Sequence, residues 1–146
     1  MNVQSALSTH PRVRRQTNDI FVLTTDACLD CALACRVCAD ACLGEERLDE
    51  LRNCIQMNLD CADVCFATGA LAIRRLSRKG NPVIPGTGFD DRVMKLIFET
   101  CTVVCGRCED ECMRHAERHK HCRRCAEICR SCAQTCRDAV RAAMVH

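Results

Sequence analysis

The sequence predicts an all-α protein: an antiparallel up-down-up-down four-helix bundle with a short N-terminal helical arm. Two observations carry this prediction. The cysteines recur in four groups at steps of three and four residues, and those of residues 28–42 fall within an arc of roughly 80° on one helix face. The only Pro/Gly-rich stretch, residues 80–89, divides the chain into two halves. Each half holds two helix-length segments joined by a short turn, which is typical of such bundles.

The first half begins with an arm, residues 1–16, that allows a turn or two of helix before its proline. The first long helix is predicted from about residue 18 to Leu43, because residues 17–19, Thr-Asn-Asp, offer N-cap side chains. Gly44 is expected to stop it. The second helix is predicted over 45–79, with Glu45 and Glu46 in its first turn, where acids favour the helix dipole.

The second half repeats this plan after the long loop at 80–89. The third helix is predicted from about residue 90 to His115, and the fourth from about Arg118 to Ala143. We take residues 1–146 as one domain, since the length suits a single core. The connectivity places both short turns at one end of the bundle. The opposite end is expected to be plugged by Phe21, Thr24, Thr68, Ala72, Met94, Phe98 and Val140.

Charge and hydropathy argue against several classes of partner. The chain has 21 basic and 19 acidic residues, so no excess of one sign exists to bind nucleic acid. No apolar run is long enough to span a membrane, and no secretory leader pattern is present. We therefore expect a cytoplasmic protein without nucleic-acid or membrane partners, in a compartment that keeps thiols reduced.

The cysteines are the candidate metal ligands. Packing alone does not explain them, because each Cys in place of a Leu gives up about 1 kcal/mol of apolar burial, and 17 such losses rival the whole stability of a domain. Metal–thiolate bonds would compensate. The candidates are Cys28, Cys31, Cys35, Cys38, Cys42, Cys54, Cys61, Cys65, Cys101, Cys105, Cys108, Cys112, Cys122, Cys125, Cys129, Cys132 and Cys136.

Other uses of the cysteines fit less well. An odd number of cysteines cannot all form disulfides within the chain. Iron–sulfur ferredoxin spacing is absent, and zinc knuckles sit on turns, whereas these CxxC pairs lie in the middle of helices. A zinc-binding module and a thiol-based redox sensor remain the alternatives. The sensor would show a reversible disulfide under mild oxidant.

Copper(I) fits the pattern best, because it is soft and prefers thiolate ligands. Seven cysteine pairs at i,i+4 place two sulfurs one turn apart on the same face, so that bridging thiolates could link successive ions. One Cu⁺ per thiolate would leave the core near neutral. We therefore expect on the order of 15–20 ions per chain.

Four further residues are candidate ligands at or near the end with the short turns. His115, His119 and His121 lie beside Cys112 and Cys122, and are interpreted as a mouth for copper rather than as solvated loop residues. Asn58 takes a place where the cysteine stripe of the second helix is interrupted. It could supply an oxygen ligand or simply bond to its neighbours, and the pattern leaves both open.

Three stretches carry a family resemblance: CLDCALACRVCADAC at 28–42, CIQMNLDCADVC at 54–65 and CEDECMRHAERHKHCRRC at 108–125. The chain resembles the bacterial copper storage proteins of the cytosolic kind. The resemblance implies a four-helix bundle that forms a homotetramer and fills its core with Cu(I). It also implies histidines at the open end, with Asn58 near the outermost ions.

An enzyme of the ferritin-like class is the rival that shares this bundle. Such enzymes need Glu-x-x-His motifs on inner helix faces. The chain contains no Glu-x-x-His, and cysteines occupy the inner stripes. We therefore predict that the protein is not an enzyme, and leave its copper donor and acceptor unassigned.

Overall fold

A computed structural model describes residues 3–11, 13, 19–75 and 91–143. Within these residues it is all-helical, which confirms the predicted class and the short N-terminal helix. The predicted loop at 80–89, and the end of the second long helix at 76–79, lie outside the described residues. The helices are α1 (Val3–Leu7), α2 (Ile20–Leu43), α3 (Leu48–Arg75), α4 (Asp91–Arg114) and α5 (Lys120–Ala143).

The ends of α2 follow the local signals in the sequence. Asp19 is the N-cap, and its Oδ1 accepts a hydrogen bond from the Phe21 amide at 2.8 Å. Gly44 is the C-cap, and its amide donates to the Ala41 carbonyl at 3.1 Å. Its φ of −83° is right-handed, so the stop does not depend on the left-handed conformation that glycine favours.

The start of α3 corrects the prediction. The helix begins at Leu48 rather than at residue 45, and the acids in its first turn are Asp49 and Glu50. Glu45 lies in the turn between α2 and α3 instead. Its carboxylate contacts His119, in the turn between α4 and α5, and His121, in the first turn of α5. Local helix signals cannot predict this contact, because the segments are distant in the sequence.

The four long helices form a square, antiparallel bundle, as predicted. Helix α2 packs against α3 and α5, and α4 packs against the same two helices. The two short turns meet at one end, where the Cys38 and Cys122 sulfurs are 3.9 Å apart. At the other end the rings of Phe21 and Phe98 stack with centroids 6.1 Å apart. None of the described helices combines the length and apolar character needed to cross a membrane.

An apolar plug closes the end opposite the short turns. Helix α1 packs against α2, and its Leu7 contacts the plug, so the arm covers this end. Val140 packs against the plug as expected, although it is only partly buried, and the neighbouring Ala139 is completely buried. The fully buried members are Phe21, Val22, Ala72, Met94, Phe98 and Ala139.

Threonines line the boundary between the plug and the cysteines. Thr24 and Thr68 are completely buried, as expected for this end. Each hydroxyl donates to a carbonyl one turn earlier in its own helix, Thr24 to Ile20 at 2.6 Å and Thr68 to Val64 at 2.7 Å. The hydroxyls are therefore satisfied locally.

Gly69 allows α3 to approach α2 closely, and we predict that Gly69→Leu destabilises the apo-protein by about 1–3 kcal/mol. A Cβ at this position would already lie 3.4 Å from the Cys28 Cβ and 3.6 Å from the Thr25 carbonyl oxygen. A larger side chain would push the two helices apart. Urea denaturation of the reduced apo-protein measures the loss.

Gly106 is the matched control, because a Cβ there would meet nothing within 4 Å. Gly106→Leu is expected to leave stability unchanged or to raise it by up to about 1 kcal/mol, since leucine has the higher helix propensity. Equal effects at the two glycines would contradict the close approach of α2 and α3.

Candidate metal centre

All seventeen cysteines face the interior of the bundle. Each is no more than 2% exposed, and together they form one continuous cluster along its axis. All of them are free thiols. The helical steps of three and four residues have this effect because they keep every sulfur on the inner stripe of its helix.

The spacing of the sulfurs suits metal coordination. Cys65 and Cys105 are 3.6 Å apart, and Cys61 and Cys105 are 3.7 Å apart. With a metal–thiolate bond of about 2.3 Å, three sulfurs around one ion lie about 4 Å from one another. Four predicted i,i+4 pairs have sulfurs 3.9–4.0 Å apart: Cys31/Cys35, Cys61/Cys65, Cys101/Cys105 and Cys125/Cys129.

The sulfurs form overlapping quartets rather than separate sites. In each quartet, all four ligand atoms lie within 4.8 Å of one another. Four cysteines belong to two of the quartets below, so one thiolate could bridge two ions. The all-cysteine quartets are Cys28/Cys101/Cys132/Cys136, Cys31/Cys35/Cys61/Cys129, Cys31/Cys61/Cys65/Cys105 and Cys35/Cys108/Cys125/Cys129.

No buried cation compensates for thiolate charge in the described part of the chain. The buried polar side chains there are three threonines, Asn58 and Glu111. Burial, with Cys122 close by, raises the pKa of the Cys42 thiol to about 12. Hydrogen bonding with Cys108 and Cys125 likewise raises the pKa of Cys35. Hydrogen bonds with Cys38 and Cys54 lower the pKa of Cys122, whereas desolvation opposes charge on every buried sulfur. Without metal, we therefore expect the core to hold mostly neutral thiols.

Asn58 lies among the cysteines with a defined orientation. Its Nδ2 donates to the Cys54 carbonyl at 2.8 Å, which directs Oδ1 into the core. The Cys125 thiol donates to this oxygen at 3.0 Å, and the Cys108 thiol at 3.5 Å. The amide is therefore satisfied by its neighbours, and its oxygen faces the thiols of the core.

The three histidines lie in the turn between α4 and α5 or in the first turn of α5. Their side chains are 17–21% exposed, so they are not freely solvated. His121 reaches the thiols directly, with Nδ1 3.6 Å from the Cys38 sulfur and 3.5 Å from the Cys122 sulfur. A further quartet, at the mouth, consists of Cys38, Cys42, His121 and Cys122.

Two acids hold the histidines, and neither was predicted to take part. The Glu45 carboxylate lies 3.1 Å from a ring nitrogen of His119 and from one of His121. Glu111, which is 8% exposed, lies 3.2 Å from His115 Nε2. The second contact was detectable in the sequence as an i,i+4 pair on one helix, whereas the first joins two separate turns.

The comparisons with known proteins agree with this geometry. The family model described as copper storage protein matches residues 17–141. The chain is 36% identical over 102 residues to the uncharacterized cysteine-rich protein YhjQ of Bacillus subtilis strain 168, covering 70% of this chain and 79% of that protein.

Two solved structures from Streptomyces lividans are similar throughout. A copper storage protein loaded with 10 copper equivalents has 41% identity and a TM-score of 0.77, and the match covers 94% of this chain and 97% of that one. A cytosolic copper storage protein with five coppers has 43% identity and a TM-score of 0.73, with coverage of 83% and 92%.

We predict that the reduced apo-protein loses stability as the pH rises above about 9. The pKa of Cys42 is 9.0 ordinarily and about 12 when folded, so between these values the folded chain keeps a proton that the unfolded chain has lost. The stabilisation is complete below the lower pKa and disappears as the pH passes the higher one. Denaturant titrations from pH 8 to pH 11 measure this slope.

Cys42→Ala provides the comparison for the alkaline slope. Because this variant lacks the thiol, its stability should fall less steeply with pH than that of the parent chain. Stability that stays level or increases over this range in the parent would show that the core does not hold neutral thiols.

Proposed function

The chain belongs to the copper storage protein family, and on that premise we propose that it stores many Cu(I) ions on the thiolates of its core, thereby detoxifying excess copper. The observation that supports this most strongly is the continuous cluster of seventeen buried, free thiols. A chaperone that carries one ion needs two or three such ligands.

Charge favours Cu⁺ over Zn²⁺ as the cargo. Each thiol that binds metal must lose its proton, and no buried cation in the described residues balances the resulting charge. A Zn²⁺ ion held by four separate thiolates leaves a net charge of −2 in the core, whereas one Cu⁺ per thiolate leaves none. Shared quartets fit this ratio because a bridging thiolate serves two ions.

The same features support a storage role rather than catalysis. The family is one of storage proteins. Every sulfur is buried, with almost no surface left for a substrate. We propose no enzymatic activity. The ligands that we assign to copper are all seventeen cysteines, Asn58 and the three mouth histidines.

We extend the cellular location and assembly to this chain as proposals. One S. lividans relative is a cytosolic protein, and we propose the same compartment here. We also propose a homotetramer. The outer face of α2 supports assembly, because Leu33 is 57% and Val37 is 66% exposed, and Leu23 and Leu43 of the same helix are exposed as well.

We predict that the reduced protein binds on the order of 15–20 Cu(I) ions per chain in an anaerobic titration against a competing chelator. Cys65→Ala and Cys42→Ala should each lower this capacity by about one ion, since each removes one thiolate from the network. A plateau at one or two ions would contradict storage. Zinc binding at four thiolates per ion, or a reversible disulfide that blocks copper, would favour the alternatives.

We also predict that copper is taken up at the histidine end. The double variant His115→Leu, His119→Leu should slow uptake on the order of tenfold, which corresponds to about 1.4 kcal/mol in the barrier, while capacity falls by no more than about one ion per histidine. Stopped-flow transfer from a coloured Cu(I) complex measures the rate. Phe98→Leu, in the plug, serves as the control and should leave the rate unchanged. Faster uptake in this variant would place the route at the other end.

A further inference from the structure

We propose that Glu45 is a positioning residue for the mouth: it turns His121 so that Nδ1 completes the outermost copper site with Cys38, Cys42 and Cys122. This inference rests on the proposed function, because it assigns a role within the same copper route. Glu45 itself would not bind the ion.

The contacts of His121 define the orientation of its ring. Nε2 lies 3.1 Å from Glu45 Oε1, on the outer side. Nδ1 lies 3.6 Å from the Cys38 sulfur and 3.5 Å from the Cys122 sulfur, on the inner side. The imidazole therefore spans the gap between a carboxylate in the α2–α3 turn and the first thiols of the core.

The carboxylate determines which nitrogen carries the proton. A carboxylate can only accept hydrogen bonds, and a neutral imidazole has one N–H and one lone pair. Nε2 must therefore hold the hydrogen that Glu45 accepts. The lone pair of Nδ1 is left facing the thiols, and carboxylate–histidine pairs fix ligand orientation in the same way at other metal sites.

This orientation prepares the site for an ion. In the empty protein, a thiol of Cys38 or Cys122 can donate its hydrogen to Nδ1. When Cu⁺ arrives, it takes the place of that proton, which passes to solvent, while the sulfur and Nδ1 both become ligands. No oxidant or reductant is needed, because the ion stays Cu(I).

Glu45 favours the opposite tautomer of His119. The same oxygen, Oε1, lies 3.1 Å from His119 Nδ1, where a nitrogen lone pair would be repelled, so we expect the hydrogen on Nδ1 and the lone pair on Nε2. The two rings lie side by side, with centroids 5.3 Å apart. One carboxylate thus leaves one lone pair on each of two neighbouring rings, and the pair on His121 faces the core.

Two other acids near the mouth have partners of their own. Glu111 lies 3.2 Å from His115, and Glu50 pairs with Arg47 and Arg118. Glu46 is the exposed neighbour of Glu45 in the same turn. Glu46→Ala is therefore a matched control that removes the same charge from the same turn.

The experiment compares Glu45→Ala, Glu45→Gln and Glu46→Ala in the reduced full-length chain. Nitrogen-15 NMR in mildly alkaline buffer reports the imidazole tautomers, and anaerobic competition titration reports the affinity for the last ion bound. In the parent chain we expect hydrogen on Nε2 of His121 and on Nδ1 of His119. Glu45→Ala should release His119 to the tautomer that free histidine favours.

The affinity for the last ion should fall about tenfold in Glu45→Ala and less than about threefold in Glu45→Gln, whose amide oxygen can still accept the hydrogen bond from His121. Glu46→Ala should match the parent. Equal losses in the Ala and Gln variants, or unchanged tautomers in Glu45→Ala, would overturn the role of Glu45. Total capacity, measured on the same samples, tests storage separately: a parent chain that binds one or two ions refutes storage whatever the tautomers show.

Discussion

The structure depends on one electrostatic constraint: seventeen thiols are buried together with no buried cation beside them in the described residues. Such a core has two states that avoid a large net charge. One has every sulfur protonated, and the other has about one monovalent ion for each thiolate. Partial deprotonation without metal is costly, so proton release and copper binding must occur together. The hydrogen bonds among the sulfurs belong to the protonated state, and the spacing of the sulfurs suits the metal-bound state.

The two ends of the bundle differ in polarity: one excludes water, and the other brings polar groups close to the thiols. At the closed end, phenylalanine, methionine and alanine side chains exclude water, and α1 covers them. The threonine hydroxyls beside this plug donate hydrogen bonds to carbonyls of their own helices, so they compete little with sulfur as metal ligands. At the open end, polar groups from two separate turns meet, and they are arranged so that a ring nitrogen faces the first thiols. This difference between a dry end and a polar end is the reason that we propose the polar end as the route for copper.

Local periodicity was enough to predict the fold and most of the cysteine site. Steps of three and four residues determine which helix face a sulfur occupies, and two short turns determine which ends meet. The prediction failed where a residue interacts with a partner that is distant in the sequence. Glu45 leaves the first turn of α3 because histidines more than seventy residues away bind it. Ala139 joins the predicted Val140 at the plug and is the more deeply buried of the two, because one position along a helix turns a side chain by about 100°. The roles of individual ligands stay predictions.

Asn58 shows how the polar and thiol parts of the core are joined. A leucine would fill similar space, but it would leave the Cys125 thiol without the oxygen to which it donates at 3.0 Å. Because Nδ2 is held by the Cys54 carbonyl, the oxygen cannot turn away when the thiols lose their protons. It then faces either an arriving ion or a repelling thiolate. The position of Asn58 therefore favours the metal-bound state over an empty state with deprotonated thiols. The lack of buried cations in the described residues has the same effect on the whole core.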